Sequence, residues 1–178
     1  NVSKLKKFLG NTDLIFSSNC ICHIPDLDNL IKGVDLLLSK NGTFIFEEPY
    51  LGSMFNKTSY DQIYDEHIYM FSVSSIKKIF NLYDFELVNA LPQVTHGGSM
   101  RYVIKRKNNS SISNELNLLL ESEKKDKIDT LEACLNFKKN CESSKERIIN
   151  KINKIKQEGK KICGYAATSK STTILNYC

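Results

Sequence analysis

The pattern of hydrophobic and polar residues predicts a strand, a helix and a second strand within the first 50 residues. The short apolar run at 12–19, TDLIFSSN, ends in polar residues and predicts a buried parallel strand. Residues 25–38 carry apolar side chains at helical spacing after a proline and an aspartate. Residues 40–50 predict a turn at Asn41 and Gly42, then a second buried strand that ends in charge. Strand, helix and strand in this order are typical of a parallel sheet.

One more helix and two more strands follow in the same way. Residues 72–85 have helical spacing, with Ser72 or Ser74 as the N-terminal cap. The β-rich runs at 86–94 and 100–107 are joined by a short segment with two adjacent glycines. Neighbouring strands with a glycine turn favour an antiparallel pair at the edge of a sheet.

The last third of the chain is mainly helical in pattern. Residues 113–158 place apolar side chains at helical spacing among many lysines and glutamates, which predicts one short and one long amphipathic helix. Gly159 ends the long helix. Residues 160–178 predict another strand, a turn of small residues and the beginning of another helix, so a second α/β unit starts there. Because the first residue is Asn1 and the last lies within a predicted helix, we expect a piece of a longer protein.

The composition is that of a globular protein. The 178 residues are 41% hydrophobic and 25% charged, which argues against disorder. The net charge of +5 is spread over many lysines, so we expect no nucleic-acid partner. No apolar run reaches the roughly twenty residues needed to span a bilayer, so we expect no membrane partner either.

The metal-binding residue types are not arranged as a metal site. The six cysteines form no CxxC pair, which excludes a zinc knuckle or redox motif built from local spacing and indicates buried or incidental thiols in a reducing cytosol. We therefore expect a cytoplasmic protein. The three histidines, His23, His67 and His96, lie at wide and irregular spacings without an HxH or HExxH pair, so no metal is predicted.

Polar residues at the ends of the predicted strands are the first candidates for a site. In an open α/β sheet, ligands bind beyond the carboxyl ends of the strands. The residues there are Ser18, Asn19 and His23 after the first strand, and Glu47 and Glu48 after the second. Each of them is also compatible with a purely structural role.

The segment DQIYDEHIYMFS, residues 61–72, is the strongest local candidate for acid/base chemistry. If it is extended, Tyr64 and Glu66 share one face while Asp65 and His67 share the other; if it is helical, Tyr64 and His67 share a face. An imidazole near two carboxylates and a phenol suits proton abstraction next to a carbonyl. In that chemistry His takes the proton, an acid fixes its tautomer and Tyr donates to the enolate oxygen. The alternative is a rim loop whose tyrosines cover the core.

Two segments of small residues resemble ligand-binding turns. HGGS at 96–99 and GYAATSK at 164–170 follow or join predicted strands and combine small residues with hydroxyls or a cation. The second has the composition of a phosphate cradle at a helix N-terminus, although it matches neither a Walker motif nor GxGxxG. On the local pattern alone, a structural turn between a strand and a helix is the better explanation.

Four ordered segments together resemble a known family. They are NCICHIPDLDNLIKGVDLLLSKNGTFIFEEPYL, DQIYDEHIYMFS, HGGSMRYVIKR and GKKICGYAATSKSTTILNYC. In this order and spacing they are similar to the S-adenosylmethionine-dependent C-methyltransferases that act on nucleotide-linked keto-deoxysugars. The resemblance covers nearly the whole chain.

The resemblance implies an α/β fold in three parts. Residues 1–108 would be the second half of a Rossmann-like methyltransferase domain, 109–158 a helical connector and 159–178 the start of a C-terminal α/β domain. The family's N-terminal zinc-binding module, its glycine-rich cofactor loop and most of its C-terminal domain would lie outside this chain. We therefore expect zinc only in that missing module, and we expect the fragment to be inactive alone.

The resemblance also implies roles for individual residues. His67 matches the proposed general base, with Tyr64 and Glu66 as its neighbours, and His23 matches a second histidine of the sugar pocket. Asn19, with Ser18 before it, matches the loop that contacts S-adenosylmethionine. The segment from Gly164 to Lys170 matches the family's glycine-rich turn, where we expect contacts to the nucleotide-sugar diphosphate. The substrate-binding candidates in it are Gly164, Tyr165, Ser169 and Lys170.

Two positions depart from the family pattern. The family usually has Tyr-His-Glu-His where this chain has an acid, Asp65, in second place. The family's Gly-Tyr-Gly-Ala has alanine as its third residue here, Ala166, which narrows the allowed backbone angles. Neither change removes a residue with a central role.

The resemblance implies carbon methylation next to the ketone of a nucleoside-diphosphate keto-deoxysugar, through an enolate formed by His67. The alternatives are an O-methyltransferase, in which His67 deprotonates a hydroxyl, a non-catalytic scaffold that presents the helices of 113–158, and a metal-dependent hydrolase. The sequence does not define the sugar, the nucleotide or the oligomeric state.

Overall fold

The computed structural model describes residues 2–108, 110–165 and 168–178. Within these residues the helices and strands are α1 Val2–Leu9, β1 Thr12–Ser18, α2 Leu27–Leu37, β2 Leu38–Pro49, α3 Leu51–Lys57, α4 Val73–Asn81, β3 Phe85–Gln93, β4 Ser99–Arg106, α5 Asn114–Asp126, α6 Leu131–Gln157 and α7 Ser169–Tyr177. None of these helices combines the length and hydrophobicity needed to cross a membrane. The mixed α/β class predicted from the sequence is confirmed.

The four strands form one sheet in the order β1-β2-β4-β3. β1 and β2 are parallel and are joined through α2, as the strand, helix and strand pattern predicts. β4 is antiparallel to both of its neighbours, so it lies between β2 and β3, and β3 forms the edge. The predicted antiparallel pair at a sheet edge is therefore confirmed.

Aromatic side chains on one face of β2 form the centre of the core. Phe44 and Phe46 are almost completely buried, with ring centroids 5.1 Å apart. The Phe46 ring also lies 5.7 Å from Phe80 of α4 and 4.9 Å from Tyr102 of β4. Burying a phenylalanine side chain contributes about 1.5–3 kcal/mol. These rings therefore fix α4 and β4 against β2, and with them the end of β2 that carries Glu47 and Glu48.

Two features of the first strands differ from the sequence prediction. β1 is parallel but is not buried, since Leu14 and Phe16 are 59% and 60% exposed. Among the described residues, β1 pairs with β2 only and therefore lies at the edge of the sheet. The burial of a strand depends on the strands and helices around it, and the local residue pattern does not contain that information. The turn predicted at Asn41 and Gly42 is absent, because β2 begins at Leu38 and includes both residues. They lie where the pairing of β1 with β2 shifts register, between Thr12 and Leu14.

The helical half agrees with the pattern except near its end. α5 and α6 are the predicted short and long helices, and Gly159 follows α6 with a left-handed φ of 74°. Residues 160–165 form no strand, although one was predicted there, and they are exposed. A strand needs a hydrogen-bonded neighbour, and no neighbour pairs with this segment in the described residues.

A buried glutamate joins α5 to the N-terminus of α4. Glu123 of α5 is 4% exposed and accepts hydrogen bonds from the backbone N–H groups of Val73 (2.6 Å) and Ser74 (2.8 Å). The Tyr50 hydroxyl donates to the same carboxylate at 2.9 Å. Ser72 caps the same helix end, as predicted, by accepting from the N–H of Ser75. Glu123 thus satisfies free donors at the N-terminus of α4, where the helix dipole also favours a negative charge.

We expect Glu123→Ala to lower the free energy of unfolding by about 3 kcal/mol, because it leaves two helix N–H groups and a buried hydroxyl without acceptors. Urea denaturation followed by circular dichroism measures this loss. Glu121→Ala is the matched control, since Glu121 is exposed on the same helix and should change stability by no more than about 0.5 kcal/mol. Equal effects of the two substitutions would contradict the capping role.

Candidate active site

A tight turn brings Tyr64 and His67 together. The chain makes a short 3-10 turn at Tyr60–Gln62, and the N–H of His67 then donates to the carbonyl of Tyr64 at 3.0 Å. The Tyr64 hydroxyl lies 2.7 Å from His67 Nε2, and the two ring centroids are 4.0 Å apart. The turn thus places Tyr64 and His67 side by side, as expected if this segment were helical.

The hydrogen bonds of His67 define its tautomer. Nδ1 lies 2.8 Å from the backbone carbonyl of Gln62, and a carbonyl only accepts, so Nδ1 carries the proton. Nε2 is then the unprotonated nitrogen and accepts from the Tyr64 hydroxyl. The sequence analysis expected an acid to fix the tautomer, and this was wrong. Asp65 and Glu66 both have exposed side chains, and no carboxylate among the described residues bonds to His67.

The surroundings favour the neutral form of His67. Burial lowers its pKa below the ordinary value, because the charged imidazolium is desolvated. The Gln62 carbonyl and the Glu48 carboxylate raise the pKa, whereas His23 and Lys170 lower it, and the net direction is down. At neutral pH the imidazole is therefore unprotonated at Nε2 and able to accept a proton.

The second predicted histidine lies beside the first. A 3-10 turn at Ile21–His23 follows β1 and places the His23 ring centroid 5.2 Å from that of His67. The carbonyl of Cys22 accepts from the N–H groups of Ile68 (3.0 Å) and Tyr69 (3.2 Å). Backbone hydrogen bonds therefore hold the two histidine-bearing segments together.

Cys22, His23 and His67 bring their donor atoms within 4.8 Å of one another, which is a possible ligand set for a soft metal. Burial raises the pKa of the Cys22 thiol well above its usual range, and the neighbouring Glu48 carboxylate raises it further. A metal needs the thiolate, and it would have to displace Tyr64 from His67. These contacts favour a hydrogen-bonded base over a metal centre.

The predicted cofactor residues lie at the carboxyl end of β1. Asn19 has a left-handed φ of 50°, which asparagine tolerates better than most residues. Its N–H donates to the carbonyl of Glu47 at 2.8 Å, and its Nδ2 donates to Ser18 Oγ at 3.1 Å. Asn19 Oδ1 is buried and has no hydrogen-bond partner among the described residues. A buried acceptor without a donor fits a position that a ligand donor would complete.

The start of α7 faces the same turn. Thr173 Oγ1 donates to the carbonyl of Ile63 at 3.1 Å, which fixes α7 against the segment that carries His67. An open groove of about 430 Å³ runs between them, lined by Tyr64, Asp65, Thr168, Ser169, Thr172, Thr173 and Asn176. Asp65, the departure from the family pattern, thus faces the helix start that carries the predicted substrate residues.

The four predicted substrate residues separate into two pairs. Ser169 lines the groove, and Lys170 Nζ donates to His96 Nδ1 at 3.2 Å. Gly164 and Tyr165 lie in an exposed segment without helix or strand, and the structure does not bring them to the turn at His67. The interpretation of Ala166 lies outside the described residues.

Two residues of the site were not identified from the sequence. Gln62 orients His67 through its backbone carbonyl, and its Nε2 donates to the carbonyl of His96 at 2.5 Å. Every residue has a backbone carbonyl, so the residue type at position 62 does not indicate this role. Glu48 was noted only as one of two acids after β2, yet it falls two residues after Phe46, so strand alternation places it on the core face.

Comparisons with known proteins agree with the sequence resemblance. Residues 2–90 match the family described as a methyltransferase domain, and residues 94–178 match the C-methyltransferase C-terminal domain. The chain is 26% identical over 170 residues to the C-methyltransferase NovU of Streptomyces niveus, which covers 95% of this chain and 40% of that protein. The chain therefore spans about two fifths of that relative's length.

Among solved structures, the chain is similar to an S-adenosylmethionine-dependent methyltransferase from Anabaena variabilis. The sequence identity is 18% and the TM-score is 0.44, over 60% of this chain and 54% of that one. The two family matches divide this chain between residues 90 and 94, although β4 after that division pairs with β2 and β3 in one sheet. The family matches and the relative support the resemblance, and the chain belongs to the methyltransferase family whose domain matches residues 2–90.

Proposed function

We propose that the protein transfers a methyl group from S-adenosylmethionine to a carbon next to the ketone of a nucleoside-diphosphate keto-deoxysugar, with His67 as the general base. One observation carries the proposal: His67 is a neutral imidazole whose Nδ1–H is held by the Gln62 carbonyl and whose Nε2 lone pair is paired with the Tyr64 hydroxyl. A base with a fixed tautomer and an adjacent phenol suits the formation of an enolate.

The proton transfer would rearrange the Tyr64 hydrogen bond. The C–H bond next to the ketone breaks, its proton goes to His67 Nε2, and the electron pair is delocalised onto the ketone oxygen. Because Nε2 has one lone pair, the Tyr64 hydroxyl would have to leave it before this transfer, and a protonated Nε2 could no longer accept from Tyr64. The Tyr64 hydroxyl is then free to donate to the enolate oxygen, with the His23 ring centroid 5.2 Å from that of the imidazole.

Tyr64 is suited to act as a donor. Burial raises the pKa of its phenol, and the nearby Cys22, Glu66 and Asp61 raise it further, so the hydroxyl remains protonated at neutral pH. Glu66 therefore acts on Tyr64 through its charge, without a hydrogen bond to His67.

The bound cofactor supplies an activated methyl on a sulfonium, and the chain's part is to supply the base and to orient the reactants. Asn19 and Ser18 are the residues we assign to the cofactor, supported by the buried Oδ1 of Asn19 without a partner. Ser169 and Lys170 are assigned to the sugar diphosphate, with Gly164 and Tyr165 before them in the same segment. Lys170 supports this assignment because its ammonium lies at the start of α7, near the groove.

The sheet supports the domain boundaries implied by the resemblance. β4 ends at Arg106 and belongs to the same sheet as β1, so we assign residues 1–108 to the methyltransferase domain. The helical connector is 109–158, and 159–178 begins the C-terminal domain. Protease cleavage after residue 108 but not within 86–107 would support this division.

We expect His67→Asn to abolish turnover, because the substitution removes the proton acceptor while keeping a polar side chain. Formation of S-adenosylhomocysteine from a panel of nucleoside-diphosphate keto-deoxysugars measures turnover in the full-length protein. Calorimetric affinity for S-adenosylmethionine should stay nearly unchanged, which controls for misfolding. Retained turnover would contradict the assignment of the base, and NMR of the product showing the methyl on oxygen would establish O-methylation instead.

Tyr64→Phe should lower kcat by about 10²-fold, since one donor to the developing oxyanion is lost. Tyr83→Phe is the matched control, because the Tyr83 hydroxyl bonds to Asp28 on the exposed side of α2, away from the site. Steady-state kinetics of both variants test this. A similar kcat for the two variants would remove Tyr64 from the mechanism.

The pH dependence should follow His67. Its neutral form is the base, so activity is lost as the pH falls through its pKa, and that pKa is lowered by burial. The acid limb of kcat/KM should therefore lie below pH 6.5, the ordinary histidine value. A limb above that value would be inconsistent with His67 in this environment.

A further inference from the structure

Glu48 is a carboxylate in the core of the protein. It follows Phe44 and Phe46 on the same face of β2 and is 0% exposed. Its Oε1 accepts from the backbone N–H groups of Cys20 (3.0 Å) and Ile21 (2.7 Å). Its Oε2 is buried without a hydrogen-bond partner, and none of the ion pairs within the described residues includes Glu48. A buried charge without a cation is unfavourable unless something nearby compensates it.

Glu47, the adjacent acid on β2, differs from Glu48 because side-chain donors pair with it. Glu47 points to the other face, where Arg101 Nη2 donates to it at 2.9 Å and Thr95 Oγ1 donates at 2.7 Å. Glu47 is thus a paired structural carboxylate. Glu48 has two backbone donors and a buried oxygen, Oε2, without a partner, and its carboxylate raises the pKa of Cys22 and of His67.

Glu48 is linked to both histidines through the backbone. Its bonds to Cys20 and Ile21 hold the 3-10 turn that ends in His23. The next carbonyl in that turn, of Cys22, accepts from the N–H groups of Ile68 and Tyr69, directly after His67. One carboxylate therefore anchors the first histidine segment, and that segment anchors the second.

We propose that Glu48 is a positioning residue for methyl transfer, which holds the His23 turn through Oε1 and stabilises the imidazolium formed at His67 through its negative charge. This inference rests on the proposed role of His67 as the base. It differs from a purely structural role because it requires the charge of Glu48 and not only its hydrogen bonds.

The other groups around His67 do not provide that charge. Lys170 of α7 and His23 oppose the imidazolium, and Glu48 favours it. Tyr64 and the protonated Cys22 thiol are neutral at pH 7. Asp61 and Glu66 act on Tyr64, and Asp65 has an exposed side chain on the groove. Among these groups, Glu48 is the buried carboxylate that raises the pKa of His67.

NMR titration of the three histidine side chains tests the electrostatic part. The chain has only His23, His67 and His96, and His67→Asn assigns the His67 signal. Glu48→Gln keeps an oxygen for the two backbone donors but removes the charge, so the midpoint of the His67 titration should move to lower pH. Glu47→Gln is the matched control and should leave that midpoint in place, since the Glu47 charge is paired with Arg101 on the other face. An unchanged His67 midpoint in folded Glu48→Gln would overturn the proposal.

Deuterium exchange at the carbon next to the ketone tests the catalytic part in the full-length protein, using nucleoside-diphosphate keto-deoxysugars as probes. Glu48→Gln should slow exchange by about 10²-fold with little change in KM. Glu48→Asp keeps the charge on a shorter side chain, so it should retain the His67 midpoint while exchange is slow; if Glu48→Gln does not fold, fast exchange in Glu48→Asp still overturns the positioning role. A shifted midpoint in Glu48→Asp, or fast exchange in either variant, would contradict the proposal. Absence of exchange in the unaltered protein would instead refute the proposed function, and the titration would still report on Glu48.

Discussion

The alternation of side chains along β2 is the constraint on which the rest of the structure depends. Phe44 and Phe46 must lie on the face covered by α4, because their rings can be removed from water only there. A strand that places these rings inward also places Glu48 inward, since successive residues point to opposite faces. The packing that stabilises the sheet thus carries a carboxylate into the core, at the edge where β1 also ends.

The buried carboxylate then organises the loops beyond that edge. The residues after β1 have backbone donors with no strand partner, and Glu48 accepts two of them. The segment after α3 in turn bonds to Cys22, so its position follows from that of the β1 loop. The site is therefore assembled in an order set by the sheet, and the side chains of Tyr64 and His67 come last. Glu123 performs a comparable function on the other side, where it joins α5 to the start of α4.

The sequence predicted the elements well wherever one residue type decides the local geometry. Ser72 caps α4 and Gly159 follows α6 because a short hydroxyl and a residue without Cβ are suited to those positions. The burial of β1 and the strand at 160–165 were wrong because both depend on neighbouring strands. The spacing left the pairing of His67 with Tyr64 as one of two alternatives and the family resemblance favoured it, whereas the role of Gln62 depends on a carbonyl that every residue possesses.

The docking of α7 has a consequence for His67. Thr173 holds this helix against Ile63, and the docked helix brings the ammonium of Lys170 close enough to lower the pKa of His67. Movement of α7 away from the turn would remove that cation and make His67 more basic. The proton affinity of His67 therefore depends on the position of a helix near the end of the chain. The imidazole would respond to such a movement through the charge of Lys170, without any change in its own hydrogen bonds.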